Sequence, residues 1–349
     1  MKKYPIPTGY LLVDNYEKGE LETLSIGDYG KQYNVKADFL GYSKPISGVE
    51  NRACLPLSEK WVVTLSTQYG CTMKCNFCDV PNVRFKGNVS EAGLVGQLYS
   101  AIKLFPHCKY TERLNIHFAR MGDPIFNEAV FSFSERLFED KKLLQEELGL
   151  RVETLHPVLT TSMPRGFSPL VQRLSRWVDI KNEIYNGQAG LQLSINSTDD
   201  KQREVMFGGS ALTLASISEI ARDFSNPVGR KYCLNFAYST DFEVSAVKLR
   251  RLFDPEKFMV KITPIHNNNA CRASGIETKG GYESYRPYEK LEESLKAEGF
   301  DVLVFIPSLD EERGLVTCGN AVLGGSKMGD VSVVNIKGLP FHTMNKDAL

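Results

Sequence analysis

Seven short apolar runs separated by amphipathic stretches constrain this fold more than any other feature of the sequence. The runs are Trp61–Ser66, Leu114–Ala119, Leu155–Thr161, Leu191–Asn196, Lys231–Ser239, Phe258–His266 and Asp301–Phe305. Helical spacing of apolar residues fills the gaps at Ser90–Phe105, Asn127–Leu148, Ser168–Trp177, Val244–Phe253 and Pro287–Gly299, with further helix up to Phe224. Ser90 and Glu91 supply a helix start signal. A strand followed by a helix, repeated, implies parallel strands joined by right-handed crossovers. Six such units are too few for a complete eight-fold barrel. A doubly wound open sheet and a partial barrel both satisfy the pattern. Residues 1–57 read as a short β-rich N-terminal segment with turns at Thr8-Gly9 and Ser47-Gly48. Residues 58–327 form the main α/β unit, and 328–349 a tail with a strand-like run at Val331–Ile336.

The first apolar run leads directly into Gly70-Cys71-Thr72-Met73-Lys74-Cys75-Asn76-Phe77-Cys78, a C-x3-C-x2-C loop. A cubane [4Fe–4S] cluster ordinarily takes four thiolates. Three thiolates held this close in sequence can bind three irons and leave the fourth open, as a catalytic centre requires. Ferredoxin spacings differ and supply a fourth Cys. Zinc sites pair one C-x2–4-C element with a second, and the sequence has no second pair.

Composition narrows the partners. Lys+Arg and Asp+Glu are both 42, so the net charge is zero and charge gives no argument for a dedicated nucleic-acid binder. Eight cysteines occur in 349 residues, and the start, Met1-Lys2-Lys3-Tyr4-Pro5-Ile6-Pro7, has no apolar signal core. The cysteines therefore read as reduced thiols and metal ligands rather than a disulfide framework. No apolar run approaches the roughly 18 residues of a membrane span, and a cytoplasmic location is expected.

A cysteine loop of this spacing after the first strand of a β/α repeat resembles the radical S-adenosylmethionine (SAM) superfamily. More specifically, the chain is similar to the RlmN/Cfr group of RNA adenosine methyl synthases over residues 61–325. Four segments carry the likeness. Ser66-Thr67-Gln68-Tyr69-Gly70-Cys71 resembles the lead-in to the cluster loop. Met121-Gly122-Asp123-Pro124-Ile125-Phe126-Asn127 resembles a Met-Gly-Glu-Pro-Leu-x-Asn segment. Leu193-Ser194-Ile195-Asn196, with Asp199, Asp200 and Arg203 downstream, resembles Ile-Ser-Leu-His with its Asn-Asp and Arg. Thr317-Cys318-Gly319-Asn320 resembles Ala-Cys-Gly-Gln.

The resemblance implies a partial (β/α)6 barrel of the radical SAM type. It implies a [4Fe–4S] cluster on Cys71, Cys75 and Cys78, whose open iron chelates the amino and carboxylate groups of SAM, with a flavodoxin-type electron donor. It implies SAM contacts from Phe77, Gly122, Asp123, Thr160, Ser194, Ile195, Asn196 and His266. It further implies that Cys318 is the catalytic residue, methylated first and then forming a covalent adduct with the substrate ring.

Several of these residues have a plainer reading. Phe77 also suits a core, Gly122-Asp123-Pro124 a turn, His266 a structural role, and Cys318 a small buried hydrophobe. Cys318 lies in a polar string, which favours function. The chain also departs from the group. Its second catalytic cysteine, seven residues before the first cluster ligand, is here Thr64, and a hydroxyl cannot take part in thiol–disulfide exchange. Cys54 and Cys271 are the candidate substitutes. Glu50 stands near the expected place of a catalytic glutamate without a convincing match. Three functions are consistent with the sequence: an RNA-modifying methyl synthase, a radical SAM enzyme acting on a peptide, nucleotide or small molecule, and a non-catalytic cluster holder. The SAM-contact segments argue against the third.

Overall fold

A computed structural model describes residues 1–6, 8–28, 55–139, 141–277, 286–307, 311, 314–317, 319–328 and 334–335. Cys54 and Cys318 lie outside the described residues, as does Glu50. The chain opens with β1 (Lys2–Ile6), β2 (Gly9–Tyr16) and β3 (Gly19–Gly27). The repeat then runs β4 (Trp61–Leu65), a small ribbon of β5 (Gln68–Tyr69) and β6 (Gly87–Asn88), α1 (Glu91–Lys103), β7 (Tyr110–Phe118), α2 (Glu128–Glu139), α3 (Lys141–Leu148) and β8 (Arg151–Thr161). It continues through α4 (Leu170–Asp179), β9 (Gly190–Ser194), α5 (Asp200–Met206), α6 (Leu214–Arg222), β10 (Tyr232–Tyr238), α7 (Ala246–Leu252) and β11 (Phe258–Pro264). It closes with α8 (Asn269–Ala273), α9 (Arg286–Ala297), β12 (Asp301–Val304) and β13 (Val334–Asn335).

Among the described residues, eleven strands form one sheet in the order β12-β11-β10-β9-β8-β7-β4-β3-β2-β1-β13. From β4 to β12 every pairing is parallel. The order never reverses across that stretch, so each right-handed crossover returns its helix to the same face. A doubly wound sheet would reverse and carry helices on both faces. Of the two readings left open by the sequence, the sheet follows the singly wound order of a partial barrel, which does not close on itself. The N-terminal strands extend it antiparallel from β4, with Leu24 opposite Thr64.

Strand side chains alternate between faces with period two. One set, including Trp61, Val63, Ile116, Phe118, Leu193, Leu234 and Val260, forms a single buried cluster with helix residues such as Leu98, Leu174, Trp177, Ile217 and Leu249. The other set faces a cavity of about 960 Å³ and is mostly polar: Thr64, His117, Gln192, Asn235, Lys261 and Thr263. Apolar burial against helices stabilises the sheet at roughly 25 cal/mol per Å². The concave face is left available for a ligand.

β7 and β8 begin earlier than the apolar runs that mark them. Their first residues, Tyr110–Arg113 and Arg151–Thr154, pair with one another in parallel register. These feet alternate exposed and covered side chains and carry charge, so apolar content did not reveal them. Ser90 caps α1 by accepting from the Gly93 amide at 3.1 Å, as its sequence predicts. Among the described residues, no helix is long and apolar enough to cross a membrane.

Candidate functional site

The cysteine loop leaves the sheet at the C-terminal end of β4, the end at which α/β folds place ligands. Gly70 has φ +78°, and a Cβ there would stand 2.6 Å from the Val83 carbonyl oxygen. Only glycine fits that turn without strain. None of Cys71, Cys75 and Cys78 is in a disulfide, and each is partly buried. Cys71 and Cys75 pack against an apolar group containing Met73, Met206, Phe207 and Ile265. Cys71 and Cys78 border Val80, Met121 and Ala321. Among the described residues, no three metal-ligating side chains gather as they would around a single ion. A cubane makes a different demand, since each thiolate binds its own iron. Three reduced, partly shielded thiols on one tightly turned loop fit that donor set.

Neighbouring segments fix the loop. The Asn76 amide donates to the Met206 carbonyl at 2.8 Å, and Lys74 N donates to Ser210 Oγ at 3.3 Å. Phe77 meets Phe207 edge-on, with ring centroids 5.5 Å apart. Asn268, just past β11, donates from Nδ2 to the carbonyls of Phe77 and Gly319, both at 2.9 Å. Asp79 accepts from the Ala270 amide at 2.8 Å and from Ser326 Oγ at 2.5 Å, and its own amide donates to the Gly319 carbonyl at 2.8 Å. The residue after Cys318 is therefore hydrogen-bonded to the residue after Cys78. Gly319 has φ +95°, and a Cβ on it would lie 3.1 Å from the Phe77 oxygen and 4.0 Å from Cys78 Cα.

The other residues singled out from the sequence divide into two groups. Phe77, Thr160, Ser194, Asn196 and His266 line the cavity, and so does Thr317, the residue before Cys318. Asn196 takes a left-handed backbone, φ 62°, and its Oδ1 accepts from the Ala237 amide at 2.9 Å. Burial pushes His266 down to about 3, so its ring is neutral. Gly122, Asp123 and Ile195 sit deeper. Gly122 has φ +88°, and a Cβ would clash with the Gln68 side chain at 2.4 Å. Its freedom thus admits a neighbouring strand. Asp123 accepts from Ile125 N at 3.1 Å, Ser162 N at 2.6 Å and Thr161 Oγ1 at 3.1 Å, clamping the end of β8. Burial raises its carboxyl to about 6 against the opposing pull of those bonds. Ile195 is wholly buried in the main cluster.

Thr64 lines the cavity from β4. Cys271 is buried beneath the cysteine loop, its sulfur 3.6 Å from the Phe77 oxygen and its thiol pushed up to about 12, first by burial. Cys233 is the one described cysteine that lines the cavity, and burial pushes its thiol up to about 11. Sequence reading did not single out Cys233, Asp79 or Asn268. The only available signals were the adjacency of Asp79 to Cys78 and the Asn267-Asn268-Asn269 run after a strand.

No family model matches the chain. A dual-specificity RNA methyltransferase RlmN of Pseudomonas fluorescens is 22% identical over 260 residues, covering 72% of this chain and 61% of the relative. The RlmN of Wolinella succinogenes is 28% identical over 210 residues, 58% of this chain and 53% of the relative. A crystal structure of a radical SAM methyltransferase from Sphaerobacter thermophilus superposes with TM-score 0.53 at 19% identity, covering 89% of this chain and 76% of that one. The chain is similar to RlmN proteins in sequence and to a radical SAM methyltransferase in fold. It spans between half and about three fifths of the length of those two RlmN relatives. The likeness in fold extends over more of the chain than the likeness in sequence.

Proposed function

We propose that this protein is a radical SAM methyl synthase acting on a nucleobase, with Cys318 as the methyl carrier. Cys71, Cys75 and Cys78 would hold a [4Fe–4S] cluster, and SAM would lie between that loop and the cavity. When bound, this pair supplies one-electron reduction, homolytic cleavage of a sulfonium and a source of methyl groups. The chain's own residues hold the reactants and exclude water. Phe77 offers an aromatic edge beside the cysteine loop, and Thr160, Ser194 and Asn196 offer polar groups at the strand ends. Neutral His266 can accept or donate a hydrogen bond but carries no charge at working pH. Asp123 acts one step back, fixing the backbone of Ser162 rather than offering a free carboxylate. A flavodoxin-type protein would supply the electron.

One observation carries this reading: the hydrogen bond from the Asp79 amide to the Gly319 carbonyl, which ties the neighbour of Cys318 to the neighbour of Cys78. A methyl carrier must stand beside the centre that activates it. The test is mass spectrometry of a tryptic peptide after anaerobic treatment with SAM. The Cys318 peptide is expected to gain one methyl, and Cys318→Ala to abolish the gain. An unmodified Cys318 in protein that cleaves SAM would overturn the carrier role.

A second reading keeps the cofactors and changes the acceptor to a free nucleotide or other small molecule. Thr64 favours it, since the usual resolving thiol is missing on the inner face.

A further inference from the structure

The tip of the β2–β3 hairpin and the β5–β6 ribbon meet beside the cysteine loop. β5 and β6 pair antiparallel, with Tyr69 opposite Gly87. The Lys86 amide donates to the Tyr69 carbonyl at 2.9 Å. A Cβ on Gly70, the residue before Cys71, would stand 3.0 Å from both N and Cα of Phe85. The backbone of Arg84, Phe85 and Lys86 is thus held against the start of the loop, while all three residues are exposed. Phe85 leaves 43% of its surface to solvent. Aromatic residues and Arg are the types enriched where proteins meet partners.

Two lysines cross between the tips. Lys86 Nζ lies over Gly19 of the hairpin, where a Cβ would stand 3.1 Å from it. Lys18 Nζ lies over Gly87 of the ribbon, where a Cβ would stand 3.2 Å from it. Each tip offers a glycine to the ammonium of the other. Among the described residues, none of Lys18, Arg84 and Lys86 forms an ion pair. Glu17, the carboxylate at the hairpin tip, accepts from Ser90 Oγ at 2.9 Å. A chain of zero net charge therefore keeps a local excess of positive charge at this ridge, which attracts an anionic partner.

Nucleic acid and acidic protein both carry the complementary charge, and position separates them. Among the residues that line the cavity, none of Lys18, Arg84, Phe85 and Lys86 is found. They are not placed to orient a strand that delivers a base into the cavity. They border the cysteine loop instead, where Cys71 is partly exposed. An electron, unlike a base, need only reach that loop.

We propose that Lys18, Arg84, Phe85 and Lys86 form the docking surface for a small acidic protein that carries one electron. This rests on the reading above in that Cys71, Cys75 and Cys78 hold a cluster. The cations steer the carrier, and Phe85 gives the apolar contact at the centre of a small, transient interface, the class to which redox encounters belong. One electron passes from a flavin hydroquinone anion to the cluster. The flavin is oxidised to its neutral semiquinone, the cluster is reduced, and no proton moves.

The test is stopped-flow reduction of the full-length, anaerobically reconstituted protein by flavodoxin hydroquinone, followed by bleaching of the cluster over a range of salt concentrations. The parent rate constant should fall steeply with salt. The triple variant Lys18→Gln, Arg84→Gln, Lys86→Gln should be slower by about tenfold or more at low salt, within the range of electrostatic steering, and nearly insensitive to salt. Phe85→Ala should slow the reaction and keep the salt dependence of the parent. The exposed control Lys142→Gln should match the parent. Iron content, and reduction by a neutral photogenerated deazaflavin radical, should be the same in every variant. An unchanged flavodoxin rate in the triple variant, or equal slowing with the deazaflavin radical, overturns the docking surface. Loss of affinity for a single-stranded RNA oligonucleotide in the triple variant, with the flavodoxin rate unchanged, assigns the ridge to nucleic acid and overturns it as well. Deazaflavin reduction of the parent reports on the cluster alone. Failure of the docking surface therefore leaves the cluster reading standing, whereas failure to take up iron ends both.

Discussion

Replacing Arg120 by methionine should cost about 3–5 kcal/mol of stability, the range for stranding one partner of a buried ion pair. Arg120 directs Nε and Nη2 to Glu22 Oε2 at 2.9 and 2.6 Å and Nη1 to the Leu315 carbonyl at 2.7 Å. Glu22 Oε1 accepts from the Leu323 amide at 2.7 Å. Both side chains are almost wholly shielded, at 1% and 0% exposure. The pair joins β3, the loop after β7 and the chain on both sides of Cys318. Arg120→Met leaves a buried carboxylate whose other partner is one amide. Arg120→Met with Glu22→Gln removes both charges and keeps an acceptor for Leu323. The double variant should recover more than half of the loss, because contacting residues are not additive. Urea unfolding followed by the buried Trp61 and Trp177 reports stability. The rate of Cys318 alkylation reports the mooring of its segment and should rise in Arg120→Met. A cost below about 1 kcal/mol, or a double variant equal to the sum of its singles, would refute the argument.

Two further predictions follow from buried groups near the cysteine loop. The Asp123 carboxyl is held at about 6, above its unfolded value near 3.9, so the folded chain binds this proton more tightly. Its contribution is fully present below the unfolded value and is lost as pH rises through that window; Asp123→Asn should flatten the difference in urea midpoint between acid and neutral pH, and an identical pH slope in parent and variant would contradict the assignment. Gly70→Ala forces a side chain into a left-handed turn and against the Val83 carbonyl, a strain of about 1–3 kcal/mol. Iron uptake should fall while the far-ultraviolet circular dichroism spectrum persists, and undiminished uptake would remove the constraint.

The parallel strands were legible because each buries one apolar face, which leaves a strong local signal. Trp61, Val63 and Leu65 alternate with cavity-facing Val62 and Thr64. The polar feet of β7 and β8 were hidden because pairing, not apolarity, holds them. The cysteine loop was legible from spacing alone. Its supports were not: Asp79 reaches Ala270, and Asn268 reaches Phe77, each across 191 residues of sequence. The bonds that hold Asp123 were equally hidden, since its carboxylate reaches Thr161 and Ser162 at the end of β8.

The central claim is that Cys71, Cys75 and Cys78 together hold a cluster with one open iron. Iron and acid-labile sulfide per chain, measured after anaerobic reconstitution, test it most directly. About four of each are expected for a cubane, with near-complete loss in the variant carrying alanine at all three positions and retention in Cys271→Ala. Absence of iron in the parent, or equal iron in the triple variant, would contradict the account.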